Sequence, residues 1–111
     1  MGKEESHRLF PQSVRDALAK AMQLKSAMTD AQRQVQQRDQ QIGQITQEQN
    51  RIRENMRTVN QNSEYYNRLL KKLNEQESQI ERFQAERDQL QETFESRRRE
   101  LEDYLSGLSV G

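Results

Sequence analysis

The sequence predicts an all-α fold, a long antiparallel two-helix coiled-coil hairpin. Three observations predict it. Helix-breaking residues are nearly absent from the interior, apolar residues recur every three and four positions, and that recurrence changes phase once, at a polar tetrapeptide. The 111 residues are 31% hydrophobic and 32% charged. A compact globular domain carries closer to half apolar residues, so a thin seam is expected rather than a rounded core. Lys and Arg number 18, as do Asp and Glu, so the formal net charge is zero. Disordered chains usually carry high net charge and no period.

The chain has one proline and four glycines. Pro11 lies near the start, Gly107 and Gly111 near the end, and only Gly43 is interior. Residues 12 to 106 therefore favour continuous helix, in a composition led by Gln, Glu, Arg and Leu. Residues 1 to 12, with Gly2, read as a disordered or cloning-derived start, and 109 to 111 as a tail.

With Val14 at position a of a heptad, the first helix places Val14, Ala21, Met28, Val35, Ile42, Gln49 and Met56 at a. Its d positions are Ala17, Leu24, Ala31, Arg38, Ile45, Ile52 and Val59. All but Gln49 and Arg38 are apolar, which is a coiled-coil seam. The second helix has its own seam. Tyr66, Leu73, Ile80, Arg87, Phe94, Leu101 and Leu108 stand at a, with Leu69, Gln76, Phe83, Leu90, Arg97 and Tyr104 at d.

The two frames do not join. The phase shifts between Val59 and Tyr66, and Asn60, Gln61, Asn62 and Ser63 lie inside the shift, which reads as a turn. The first helix is expected over about 13–59, the turn over about 60–63 and the second helix over about 64–106. Each helix of roughly 45 residues would be about 70 Å long. Ser13 with Asp16 three residues on suggests a capping box, Ser63 or Asn62 suits the second N-cap, and Gly107 suits a left-handed C-cap.

Folding at that turn pairs residues whose numbers sum to 125. Val59 then faces Tyr66, Met56 faces Leu69, Ile52 faces Leu73, Ile45 faces Ile80, and Ala31 faces Phe94. The polar interruptions coincide as well, Gln49 with Gln76 and Arg38 with Arg87. This double match favours a hairpin over a continuous parallel dimeric rod, with a domain-swapped hairpin between the two. A Gln–Gln layer can bond side chain to side chain and penalise slipped registers. The Arg–Arg layer requires neutralisation by Asp39, Glu86 or Asp88, and a solvated, locally paired layer is a better reading than an anion site. Arg97, opposite Met28, has to turn outward.

The base differs from the turn. Phe10, Leu18, Met22, Leu105, Leu108 and Val110 add apolar residues outside or beyond the strict seam. Leu18, Met22, Leu105 and Leu108 are the candidate docking surface, for a protein partner or for self-association as a homodimer.

Catalytic chemistry finds no foothold. His7 is the single histidine, cysteine is absent, and no phosphate loop, zinc motif or nucleophile elbow occurs. The carboxylates alternate with Arg and Lys as on solvated faces. The expectation is a chain that is not an enzyme and has no catalytic, cofactor or metal residues. No run of about 18 apolar residues suggests membrane insertion, and no signal peptide is visible. Neutral charge argues against nucleic acid, and Arg97, Arg98 and Arg99 stand among acids. A transcription-machinery hairpin would want paired acids at its tip, where only Glu64 stands.

Several stretches resemble one bacterial family. They are Ser13-Val14-Arg15-Asp16-Ala17-Leu18, then Glu48-Gln49-Asn50-Arg51-Ile52-Arg53-Glu54-Asn55-Met56, then Asn62-Ser63 with Tyr66. Lys71-Lys72-Leu73-Asn74-Glu75-Gln76-Glu77 and Tyr104-Leu105-Ser106-Gly107-Leu108 complete the set. Over about residues 13 to 108 the chain resembles the C-terminal helical tail of mucoidy-inhibitor-A-like proteins, which join long helical segments to a β-rich core of unknown function. The resemblance implies an exported or envelope-associated bacterial parent whose β-rich body meets the base, and it brings no catalytic residues.

Overall fold

The structure, a computed structural model, describes residues 10–110. His7 and the other residues before Phe10 lie outside that range, as does Gly111. The fold is an all-α two-helix hairpin. Helix α1 spans Gln12–Met56 and helix α2 spans Glu64–Val110, with no strand among the described residues.

Helix α1 is started by Pro11 rather than by Ser13. The Pro11 carbonyl accepts from the amides of Val14 (3.0 Å) and Arg15 (3.1 Å). Proline holds a helical φ and has no amide to orphan, so the backbone is already helical when it reaches Ser13. The expected capping box is therefore absent. The Asp16 carboxylate instead accepts from the Gln12 side-chain amide at 2.7 Å.

Helix α1 also ends earlier than its seam suggests, at Met56 instead of near 59. Arg57, Thr58 and Val59 donate to the carbonyls of Glu54, Asn55 and Met56 at 3.3–3.4 Å, three residues back instead of four. This tighter winding brings the chain to Asn60 without any positive φ.

The turn is held by side chains. Asn60 Oδ1 accepts from the Asn62 amide at 2.9 Å, and the Asn60 carbonyl accepts from both the Ser63 amide (3.0 Å) and the Ser63 hydroxyl (2.7 Å). Ser63 Oγ in turn accepts from the Tyr66 amide at 3.1 Å, which makes Ser63 the N-cap of α2. Glu64 follows in the first turn, where its charge suits the helix dipole.

Helix α2 continues through Gly107 to Val110. Gly107 has a right-handed helical conformation, so the left-handed cap expected there is absent, and residues 109 and 110 extend the helix rather than forming a tail.

The chain divides into two compact units, each containing part of both helices. The turn unit is Arg33–Gln91. The terminal unit comprises residues 10–32 and 92–110 among those described. In the turn unit, Ile52, Leu73 and Ile80 are buried, with Ile42, Ile45, Met56, Leu69, Phe83 and Leu90 half-buried around them. In the terminal unit, Ala31 is buried, and Leu24, Met28, Phe94, Leu101 and Tyr104 are half-buried. Two helices alone cannot enclose a seam from all sides, so most apolar layers keep one edge in water.

Candidate functional site

The polar layers sit in the turn unit. Gln49 and Gln76 are the most deeply buried polar residues described, 3% and 6% exposed. They do not bond to each other as the sequence suggests. Gln49 Nε2 donates across the seam to Glu77 Oε1 at 3.0 Å, and Gln76 Oε1 is buried without a hydrogen-bond partner. Glu77 is one step round the helix and half-exposed, and its carboxylate is the stronger acceptor for an amide N–H. The layer thus contains one strong bond and one orphan acceptor.

The arginine layer is resolved by exchange of partners. Arg38 Nε donates to Glu86 Oε2 at 2.8 Å, and Arg87 Nη1 reaches Asp39 Oδ1 at 3.3 Å. Each guanidinium therefore pairs with a carboxylate of the opposite helix, adjacent to the other arginine. Arg87 also holds Asp88 at 3.1 Å. Its hydrogen bonds to Asp88 and then to Asp39 raise the guanidinium further above its already high ordinary value. Arg38 lies 5.9 Å from the Phe83 ring centre, which covers its flat face.

Arg38–Glu86, Asp39–Arg87 and Gln49–Glu77 each miss the sum of 125 by one residue. On the flanks of the same unit, Lys72 meets Glu48 at 2.7 Å and Arg53 meets Glu77 at 3.8 Å. The Glu48 carboxyl is held below its ordinary pKa, first by the hydrogen bond from Lys72 and then by that ammonium charge.

Near the turn, Arg53, Met56, Arg57, Val59, Gln61, Tyr66 and Leu73 line an open depression of about 330 Å³. In the sequence, Val59, Met56, Tyr66 and Leu73 stand at seam positions, and Asn60, Gln61, Asn62 and Ser63 in the turn. Met56 and Val59 in that lining are both half-buried.

The terminal unit carries the apolar surface. Leu18 is 55% exposed and Met22 71%, with Phe10, Val14, Leu105 and Leu108 also exposed. Val14, Leu18 and Met22 are spaced by four along α1, and Leu105 and Leu108 by three along α2. Side chains at such spacings share one helix face. The ion pairs of Arg97 and Arg98 stay within α2. Arg98 binds Glu95 (2.8 Å) and Glu102 (2.7 Å), and Arg97 turns outward to Glu100 (3.1 Å). The Arg98 guanidinium is raised, chiefly by its bond to Glu95. Between the helices, the Tyr104 hydroxyl donates weakly to the Ala17 carbonyl at 3.5 Å, and Lys20 Nζ lies 4.8 Å from the Tyr104 ring centre.

Among the described residues no group of three or more His, Cys, Asp or Glu is placed to hold a metal, and no helix is long and apolar enough to cross a membrane. The fold and these sites define a two-helix hairpin with polar seam layers in one unit and an exposed apolar surface on the other. Comparison with protein-family models, with curated proteins and with solved structures finds no match to the chain.

Proposed function

We propose that the chain is a non-catalytic docking element, a coiled-coil hairpin whose terminal unit seats on an apolar protein surface. The observation that carries the reading is the concentration of exposed Phe10, Val14, Leu18, Met22, Leu105 and Leu108 on one unit, against Tyr65 and Leu70 on the other. An apolar set of that density on a small unit is the usual mark of an interface. The titratable groups support a structural role, because the shifted ones are shifted by ion pairing on exposed surfaces.

The resemblance to the helical tail of mucoidy-inhibitor-A-like proteins supports a β-rich body of an exported bacterial parent as the surface met. A second copy of the terminal unit is the alternative occupant. The test is Leu18→Glu with Leu105→Glu, read by sedimentation equilibrium and by fluorescence of an apolar dye such as anilinonaphthalene sulfonate. Self-docking gives a dimer that the variant reduces to a monomer. Docking to another surface gives a monomer that binds the dye, with the variant losing most of the signal. A variant unchanged in both mass and dye binding contradicts the reading.

A further inference from the structure

We propose that Met22 is a reversible oxidation site, and that a peroxide acting on its thioether switches the apolar face of the terminal unit from a docking to a non-docking state. The switch rests on the reading of that face as a docking surface.

Accessibility is the first ground. The methionines among the described residues are Met22, Met28 and Met56. Met22 is 71% exposed, more than any other exposed large apolar side chain described, while Met28 and Met56 are half-buried in the seam. A peroxide has to reach the sulfur, so its first equivalents fall on Met22.

Placement is the second ground. Val14, Leu18 and Met22 follow one another at intervals of four along α1 and share one helix face. The next residues at that spacing, Lys25 and Ser26, are polar, so Met22 is the inner end of the apolar stripe. Oxidation turns a flexible apolar side chain into a polar one. Its sulfoxide oxygen needs a hydrogen-bond donor, and an apolar partner surface supplies none.

The third ground is separation from the fold. Met22 stands outside the a and d positions that hold the helices together, whereas Met28 and Met56 are both a residues. A polar oxygen on Met28 or Met56 would enter the seam, and the same oxygen on Met22 stays at the surface. The order of accessibility therefore releases a partner before it endangers the hairpin.

The chemistry balances. The Met22 sulfur lone pair attacks one peroxide oxygen, and an S–O bond forms as the O–O bond breaks. The proton of the transferred hydroxyl passes to the departing hydroxide, which leaves as water. Sulfur loses two electrons and the peroxide gains them. A methionine sulfoxide reductase with a thiol reductant reverses the step, releasing the oxygen as water and joining two thiols as a disulfide.

The test treats the full chain with graded hydrogen peroxide and digests it with trypsin. Cleavage after Lys20, Lys25, Arg33, Arg53 and Arg57 puts Met22, Met28 and Met56 on separate peptides, 21–25, 26–33 and 54–57. Mass spectrometry is expected to show oxygen added to 21–25 several-fold faster than to the other two. At the dose that modifies only 21–25, anilinonaphthalene sulfonate fluorescence, or the dimer fraction in sedimentation equilibrium, should fall to the level of Met22→Gln. Circular dichroism should be unchanged, reductase treatment should restore the signal, and Met22→Leu should keep its signal through the same dose. Earlier oxidation of Met28 or Met56, or an unchanged docking signal in a folded chain oxidised at Met22, overturns the switch. A chain that neither dimerises nor binds the dye before any peroxide is added overturns the docking reading and the switch with it, so the two failures are distinct.

Discussion

The turn unit and the terminal unit are built from the same two helices and the same heptad pattern, yet they spend their polar side chains differently. In the turn unit four pairs reach across the seam, Arg38–Glu86, Asp39–Arg87, Gln49–Glu77 and Glu48–Lys72, beside local pairs such as Arg57–Glu54 and Arg68–Glu64. In the terminal unit the ion pairs of Arg97 and Arg98 run along α2, to residues three or four positions away. Pairs across the seam specify which residue faces which. Pairs along one helix stabilise that helix and say nothing about its neighbour. Charge pairs thus write the alignment in the turn unit, while the terminal unit joins its helices through Tyr104, by its hydroxyl on the Ala17 carbonyl and its ring beneath Lys20, and leaves Leu18, Met22, Leu105 and Leu108 exposed.

The comparison is most sharply tested in the seam. Ile52→Ala removes a side chain 5% exposed and is expected to cost about 2–4 kcal/mol in urea unfolding. Leu24→Ala, at a half-buried position of the terminal unit, is expected to cost about 1 kcal/mol, because part of that side chain is already in water. Equal costs would remove the distinction between the units.

Replacing the orphan acceptor is expected to act in the opposite direction. Gln76→Leu removes a buried oxygen that has no partner and leaves Gln49 bonded to Glu77, so the urea midpoint should rise by the equivalent of about 1 kcal/mol. A loss of stability would mean that Gln76 contributes a bond the static geometry lacks. Ser63→Ala removes the acceptor for the Tyr66 amide and should cost about 1 kcal/mol, measurable by thermal unfolding. Gly43→Ala should stabilise by about 0.5–1 kcal/mol, since an added Cβ meets nothing within 4 Å and α1 is helical there.

The smallest effect concerns pH. Glu48 has a folded pKa below its ordinary value of 4.5, so its contribution is present above that value and is lost as pH falls through the folded pKa. Lys72→Gln should flatten the acid limb of a stability–pH curve slightly, and an unchanged curve would show the exposed pair to be silent.

The seam and its fold-back were legible because period and phase are properties of residue order alone. Gln49 and Gln76, and Arg38 and Arg87, could be matched by number before any geometry was known. The acids that neutralise the arginines, Glu86, Asp39 and Asp88, were legible too as the carboxylates beside that layer, whereas the bond from Gln49 to Glu77 was not, because Glu77 lies beside the seam and reaches it only through side-chain conformation. The helix ends were less legible still. Ser13 and Gly107 have the right chemistry for caps, but Pro11 starts α1 two residues before Ser13, and α2 runs on through Gly107.

Native-state hydrogen exchange of the isolated chain tests the division most directly. The account predicts that amides near Ile45, Ile52, Leu73 and Ile80 exchange at least about tenfold more slowly than those near Leu18, Leu24, Leu101 and Leu105, because local opening follows the density of buried and cross-paired groups. Uniform protection along both helices, or slower exchange in the terminal unit of a monomeric chain, would contradict it.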